Sequence, residues 1–229
     1  MSDELAARLA AVNARIARAV EGAGRPPGSV RLLAVSKTKP AADVRAAYAA
    51  GQRDFGENYV QELVDKAAAL ADLAGIRWHM IGHLQRNKVR HVVKLVSAVH
   101  TVDSVRLAEE LGKRASDAGR SPLTTLVEVN VGGEAQKSGC SPEELGSVLA
   151  AVERAPGLAL SGLMTVPPHT DDPAGARPFF DRLVALRDAH GGAARLPELS
   201  MGMTHDLEHA IFAGATWVRV GTAIFGERG

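Results

Sequence analysis

The chain has 229 residues, 46% of them hydrophobic and 23% charged, with a formal net charge of +1. That balance belongs to a folded domain and excludes a disordered segment, and the near-zero charge excludes a bulk field that would draw nucleic acid or an anionic lipid surface. A single cysteine, Cys140, excludes an internal disulfide framework, and no apolar run approaches the ~18 residues of a membrane span.

The first pattern is helical. Leu5, Leu9, Val12, Ile16 and Val20 recur at helical spacing until Gly22, Gly24 and Pro26 end it, so 1–24 reads as a leading helix packed on the domain. Arg8, Arg15 and Arg18 make it amphipathic, but Asp3, Glu4 and Glu21 are wrong for a targeting peptide, and a cytoplasmic protein is expected. Short apolar strands then follow at 31–36, 53–56, 76–82, 98–102, 124–131, 158–164, 198–201 and 217–220. Between them lie helical stretches at 41–50, 59–71, 105–118, 142–153 and 175–190. Several strands are continuous apolar runs, as in a parallel sheet covered by helices, and no linker interrupts the series. Eight such steps predict an α/β fold, a single (β/α)8 TIM barrel domain over 1–229. The strand count argues against the alternative, a doubly wound open sheet.

In a barrel, chemistry belongs at the C-terminal ends of the strands, and phosphate commonly sits beyond strands seven and eight. Strand one there delivers Lys37, within LLAVSKTKP and on the same alternating face as Leu33 and Val35. Strand two delivers Gly56, Glu57 and Asn58, and strand three His79 and His83. Strand seven runs into SMGMTHD (200–206), and strand eight through Arg219 into GTAIFG (221–226).

SMGMTHD has the makings of an anion cradle. Ser200 and Thr204 supply hydroxyls, Gly202 lets the backbone approach closely, and Thr204 is placed to cap a helix at 205–213, whose N-terminus would favour phosphate. Gly221 and Thr222 could close the same nest. Arg219 shares a strand face with Trp217 and Gly221, and an arginine aimed into a barrel costs several kcal/mol unless paired or bound to a ligand. An ion pair with Glu57 is the structural reading, and contact with a small molecule the functional one. A lysine beside cations such as Lys39 or Arg219 is more easily neutral, and a neutral amine forms a Schiff base with a carbonyl. Lysine, phosphate cradle and polar ring contacts together suggest pyridoxal 5'-phosphate.

Eight blocks occur in order from residue 34 to 226: AVSKTKP, FGENYVQE, WHMIGHLQRNK, VHTVDS, VNVGGEAQKSG, GLMTVPP, SMGMTHDLEHAI and VRVGTAIFG. Over nearly its whole length the chain resembles the pyridoxal phosphate homeostasis protein family, whose barrel is similar to the N-terminal domain of alanine racemase. The resemblance implies pyridoxal phosphate held as an aldimine on Lys37, its phosphate on Ser200, Thr204, Gly221 and Thr222, Arg219 facing the pyridine nitrogen, and Asn58 along the ring. It implies a role in intracellular homeostasis of the cofactor, without an established reaction. Expected partners are pyridoxal phosphate and the apo-enzymes that use it, with no nucleic acid or membrane, in a monomer or weak homodimer. His205 and His209 flank the phosphate segment as departures from the pattern, and Lys137 matches a family lysine that would offer a second amine.

Other signals carry less. His205 to His209 spells H-x-x-E-H, but Glu227 is the sole carboxylate among the 20 residues that follow, which leaves a third metal ligand hard to supply. Gln136 replaces the glycine that a phosphate-binding P-loop needs before Lys137. Arg86, Lys88, Arg90 and Lys94 form a basic run without interleaved aromatics, as on a solvated helix. Cys140 lies beside a helix start with no histidine near in sequence, an incidental thiol. The main alternative function is a pyridoxal phosphate-dependent amino-acid racemase, for which Tyr59 is the one candidate second base. A cofactor-free Schiff-base aldolase is the third.

Overall fold

In the computed structural model, which describes residues 2–119, 122–134 and 136–227, eight parallel strands close in chain order into a barrel. They are β1 (Arg31–Val35), β2 (Asp54–Glu57), β3 (Arg77–Met80), β4 (Val96–Val102), β5 (Leu123–Glu128), β6 (Leu158–Met164), β7 (Glu198–Ser200) and β8 (Trp217–Val220). Around them run α1 (Ser2–Gly22), α2 (Ala41–Ala49), α3 (Val60–Ala69), α4 (Val89–Val92), α5 (Val105–Asp117), α6 (Leu145–Arg154), α7 (Arg177–Ala189), α8 (Gly192–Arg195), α9 (Leu207–Ala213) and α10 (Thr222–Phe225). This is the fold expected from the alternation of apolar runs and helical periods.

The differences from expectation are local and have identifiable causes. β5 stops at Glu128 instead of 131, because the Cys140 N–H donates to the Glu128 carbonyl and the Asn130 N–H to the Cys140 carbonyl. α6 begins at Leu145 rather than 142, after a turn in which the Glu144 N–H donates to Ser141 Oγ and the Ser141 N–H to a Glu144 carboxylate oxygen. The stretch at 175–190 begins as a tighter 3-10 turn, Pro173–Ala176, where the Asp172 carboxylate accepts the Ala174 N–H. The cap foreseen at Thr204 is not made. α9 starts at Leu207 with Asp206 before it, and the Asp206 carboxylate accepts the Met203 N–H at 2.6 Å.

Alternation along each strand divides the apolar residues into two compartments. Leu32, Ala34, Phe55, Val218 and Val220 face outward into one core shared with the helices. Leu33, Ile81 and Trp217 face inward with Val35 packed on them. The inner layer is otherwise polar, with His79, His100, Ser200 and Arg219 all buried. Gly162 shows how tightly the wall is built: a Cβ there would stand 1.9 Å from the Glu198 carbonyl of the neighbouring strand. Gly162→Ala is therefore expected to destabilise the barrel by roughly 1–3 kcal/mol, read as a lower thermal midpoint.

The leading helix belongs to this core. Leu5, Leu9, Val12, Ile16 and Val20 are all buried, and each such burial contributes roughly 1.5–3 kcal/mol. Arg8 and Arg15 add reach to that packing. Arg8 Nε donates to the Ile224 carbonyl at 2.8 Å, and Arg15 donates to the Thr204 carbonyl at 3.1 Å while pairing with Glu208 at 2.9 Å. So α1 braces the two loops that follow β7 and β8. No helix among the described residues is long and apolar enough to cross a membrane.

Candidate functional site

Barrel closure makes neighbours of segments far apart in the chain. β1 pairs with β2 on one side and β8 on the other, and β8 pairs with β7. The C-terminal ends of these four adjacent strands carry Lys37, Asn58, the 200–204 segment and the 219–222 segment, so one sector of the barrel mouth holds every cofactor-site residue expected from the sequence.

Lys37 is half-buried in the turn after β1, continuing the inward face of Leu33 and Val35. The next residue, Thr38, has φ +62°, a left-handed backbone that a β-branched residue seldom adopts without support. The support is a buried charge cluster on the outer side of the turn. Lys66 of α3 donates to the Ser36 carbonyl at 2.6 Å, to Glu57 Oε1 at 2.8 Å and to Glu62 Oε2 at 2.9 Å. Ser36 Oγ donates to the same Glu57 oxygen at 2.6 Å, and the Thr38 N–H donates to Glu62 Oε2 at 2.7 Å. Burial pushes the Glu57 carboxyl up from its ordinary range, opposed by the hydrogen bonds from Lys66 and Ser36. Glu57 is thus tied to Lys66 on the outside of β2, and the ion pair considered between it and Arg219 is not formed.

On the opposite flank, Gly202 has φ +90°, and a Cβ there would lie 2.4 Å from that of Ala210. This close approach brings the 200–204 backbone down against α9, with Arg219 N–H donating to the Gly202 carbonyl at 2.9 Å. Thr204 is half-buried, and Thr222 opens α10, whose first N–H groups lack a carbonyl one turn earlier. A Cβ on Gly221 would come within 3.1 Å of the Val35 carbonyl, so the turn after β8 also packs closely on β1.

Arg219 is buried in the barrel mouth, donating through Nη1 to Ser200 Oγ and through Nη2 to the Thr165 carbonyl, both at 2.8 Å. Burial lowers its pKa to about 10, against the pull of Glu128 and Asp206. The Ser200 hydroxyl is fully buried and committed to Arg219 and His100, beneath the loop it begins. Asn58 follows β2, and its side-chain Oδ1 is buried without a hydrogen-bond partner among the described residues. Its backbone presses on Gly82, where a Cβ would meet the Asn58 carbonyl at 2.2 Å.

Sequence reasoning passed over Glu128, Lys66 and His100. Glu128 ends β5 and is 6% exposed, with Oε2 unpartnered among the described residues. Burial and then the nearby Asp103 raise its pKa to about 7, against the pull of Arg219. Lys66 reads in sequence as half of a surface i,i+4 pair with Glu62. His100, in the middle of an apolar strand, was a visible signal.

Other singled-out residues lie apart. Lys137 sits beyond β5, donating to the Pro167 carbonyl at 2.9 Å and pairing with Glu134 at 2.5 Å. His205 is exposed against the Asp171 carbonyl, and His209 is half-buried on α9. His79 is buried in the barrel while His83 is exposed beside Asp103, so the two do not face each other. Lys39 donates to the Glu227 carbonyl. The Tyr48 hydroxyl turns to the Ala74 carbonyl, and Tyr59 is 56% exposed ahead of α3. Burial pushes the Cys140 thiol up to about 12, which suits an inert side chain.

The donor set fits pyridoxal phosphate. There is a primary amine at one side, a glycine-shaped backbone cradle with hydroxyls at the other, an amide oxygen without a partner among the described residues, and a guanidinium between them.

The family model of the alanine racemase N-terminal domain matches residues 7–229. The chain is 51% identical to the pyridoxal phosphate homeostasis protein of Pseudomonas aeruginosa, over 98% of this chain and 96% of that one. Among solved structures, it is similar to an unknown protein from Bifidobacterium adolescentis, with TM-score 0.90 and 42% identity over 98% of this chain and 95% of the other. It is also similar to PipY of Synechococcus elongatus with pyridoxal phosphate bound, with TM-score 0.82 and 39% identity over 97% of this chain and all 100% of that one.

Proposed function

The chain belongs to the alanine racemase N-terminal-domain family, and we propose that within it this protein binds pyridoxal 5'-phosphate as part of intracellular homeostasis of that cofactor, holding it through a Schiff base on Lys37. The observation that carries this reading is the convergence of Lys37, the 200–204 cradle and Arg219 on adjacent strand ends of one barrel mouth. When bound, the cofactor supplies an aldehyde that reacts with an amine and a phosphate that anchors it.

The chain's own residues divide the work. Lys37 offers its amine from a turn whose conformation Lys66 and Glu62 hold. Thr204, Gly221 and Thr222, with the backbone at Gly202, would receive the phosphate through hydroxyls and N–H groups at helix starts. Ser200 acts from below this loop, through Arg219. Arg219 would hold the ring end of the cofactor, and a guanidinium facing the ring nitrogen would leave that nitrogen unprotonated and weaken the ring as an electron sink. Asn58, whose Oδ1 has no hydrogen-bond partner among the described residues, would lie along the ring. Such a site favours holding the cofactor over driving carbanion chemistry. Apo-enzymes that need the cofactor are the natural recipients, and a cytoplasmic location suits that role.

The test is direct. Purified protein loaded with pyridoxal phosphate should absorb in the visible, and borohydride should fix the cofactor mass on a peptide containing Lys37. Fixation elsewhere, or Lys37→Ala protein with unchanged affinity and spectrum, refutes the covalent assignment.

A further inference from the structure

Beneath Arg219 a line of hydrogen bonds runs down the barrel interior. Ser200 Oγ lies 3.0 Å from His100 Nδ1, His100 Nε2 lies 3.0 Å from His79 Nδ1, and His79 Nε2 lies 3.0 Å from Asp54 Oδ1. At the far end Arg77 grips both Asp54 oxygens at 2.6 Å. Five strands, β2, β3, β4, β7 and β8, contribute to this line, and His79, His100, Ser200 and Arg219 are all buried. Trp217 packs against both imidazoles, with ring centroids 5.1 and 6.0 Å away.

The proton positions follow from the contacts. Burial alone would raise the Asp54 carboxyl, but its hydrogen bonds from Arg77 and His79 bring it down to about 2, so it only accepts. His79 Nε2 therefore carries a hydrogen. Burial, then His79 and Arg219, drive the His100 pKa well below its ordinary value, so that ring is neutral and has one donor and one acceptor nitrogen. If His100 Nε2–H donates to His79 Nδ1, then Nδ1 accepts from the Ser200 hydroxyl, whose lone pair faces Arg219 Nη1–H. Every group is then partnered. The reverse assignment leaves the Ser200 hydrogen without an acceptor and places an imidazolium on His79 inside the barrel.

We propose that His100, with His79 behind it, is a positioning residue for the cofactor: the two imidazoles orient the Ser200 hydroxyl, and through it aim the Arg219 guanidinium at the ring end of bound pyridoxal phosphate. This rests on the site reading above. Two of the five guanidinium N–H groups are taken by Ser200 and the Thr165 carbonyl, which fixes the plane of the fork and leaves the rest for the ligand. Because the line is anchored on Asp54 and Arg77 near the other end of the barrel, side chains that never touch the cofactor set its affinity and colour.

The experiment measures pyridoxal phosphate affinity and the absorption maximum of the bound cofactor for wild type, His100→Phe, Ser200→Ala and the double variant. Ligand-free protein is examined by 15N NMR of the histidine rings. Both single variants are expected to bind about five- to twentyfold more weakly, as for a lost buried hydrogen bond, and to shift the absorption in the same direction. The double variant should be no worse than the weaker single. Both rings should be Nε2–H tautomers. Should His100→Phe fail to fold, His79→Gln interrupts the same line and carries the same expectation. Losses that add, an Nδ1–H tautomer at His100, or a His100→Phe protein that melts lower yet keeps wild-type affinity and colour overturn the proposal. So does weakening confined to Ser200→Ala, which would place the serine directly on the phosphate. Wild-type protein that binds no pyridoxal phosphate at all sinks the site reading itself, a result distinct from any of these.

Discussion

Lys66→Met is expected to lower the unfolding free energy by about 3–5 kcal/mol, because it leaves the buried Glu57 carboxylate without its counter-ion. The Lys66 side chain is 8% exposed and that of Glu57 fully buried, so water cannot take over the lost contact. The ammonium makes three bonds, to Ser36, Glu57 and Glu62, and Met replaces none of them. Adding Glu57→Gln should recover a large share of the loss, since the uncompensated charge rather than the missing bond dominates it. Function should suffer as well: without Lys66 the Ser36–Thr38 turn loses its hold, and Lys37 should capture pyridoxal phosphate more slowly. Urea denaturation checks the first part and stopped-flow absorbance the second. A loss under about 1 kcal/mol would mean that the cluster is hydrated rather than buried.

A second large effect depends on pH. Glu128 has a folded pKa of about 7 against an ordinary 4.5, through burial and Asp103 acting against Arg219. The folded state therefore binds this proton more tightly than the unfolded chain does. The stability it contributes is fully present below about pH 4.5 and is lost as pH rises through about 7. The shift corresponds to a loss on the order of 3 kcal/mol. Glu128→Gln keeps the shape and has nothing to ionise, so it should be more stable than wild type at pH 8 and close to it at pH 4.5. Urea midpoints of both proteins across that range test this. Parallel pH curves would show that Glu128 stays charged in the folded state.

Much of the site was legible because it is built from local patterns. Leu33, Val35 and Lys37 share parity on one strand, which places the amine without knowledge of its neighbours. Gly202 advertised a close backbone approach, and the structure has a left-handed φ there, while Gly221, read from sequence as closing the same nest, packs closely on β1. Arg219 on the inner face of β8 was equally readable. Thr204 misled because a threonine before a helical pattern reads as a cap. α9 instead starts after Asp206, whose carboxylate turns back to accept the Met203 N–H of the preceding loop, and no side chain among the described residues caps the helix. Lys66 was hidden for a related reason: its i,i+4 spacing from Glu62 is that of a solvated pair, and only the arrival of β2 beneath α3 buries it.

By itself, the amino-acid sequence determined the order of the strands, the barrel that eight such steps form, and the rim on which Lys37, Asn58 and the 200–204 and 219–222 segments stand. Periodicity and turn chemistry are properties of a few consecutive residues, so they survive without the fold. The tertiary structure alone decided which polar groups share the interior. His100 reaches Ser200 across 100 residues and His79 reaches His100 across 21, and no local pattern encodes such pairings. Barrel closure brings them within 3.0 Å in a space where an unpartnered polar group is costly. That cost turns isolated histidines and serines into one connected line ending at Arg219.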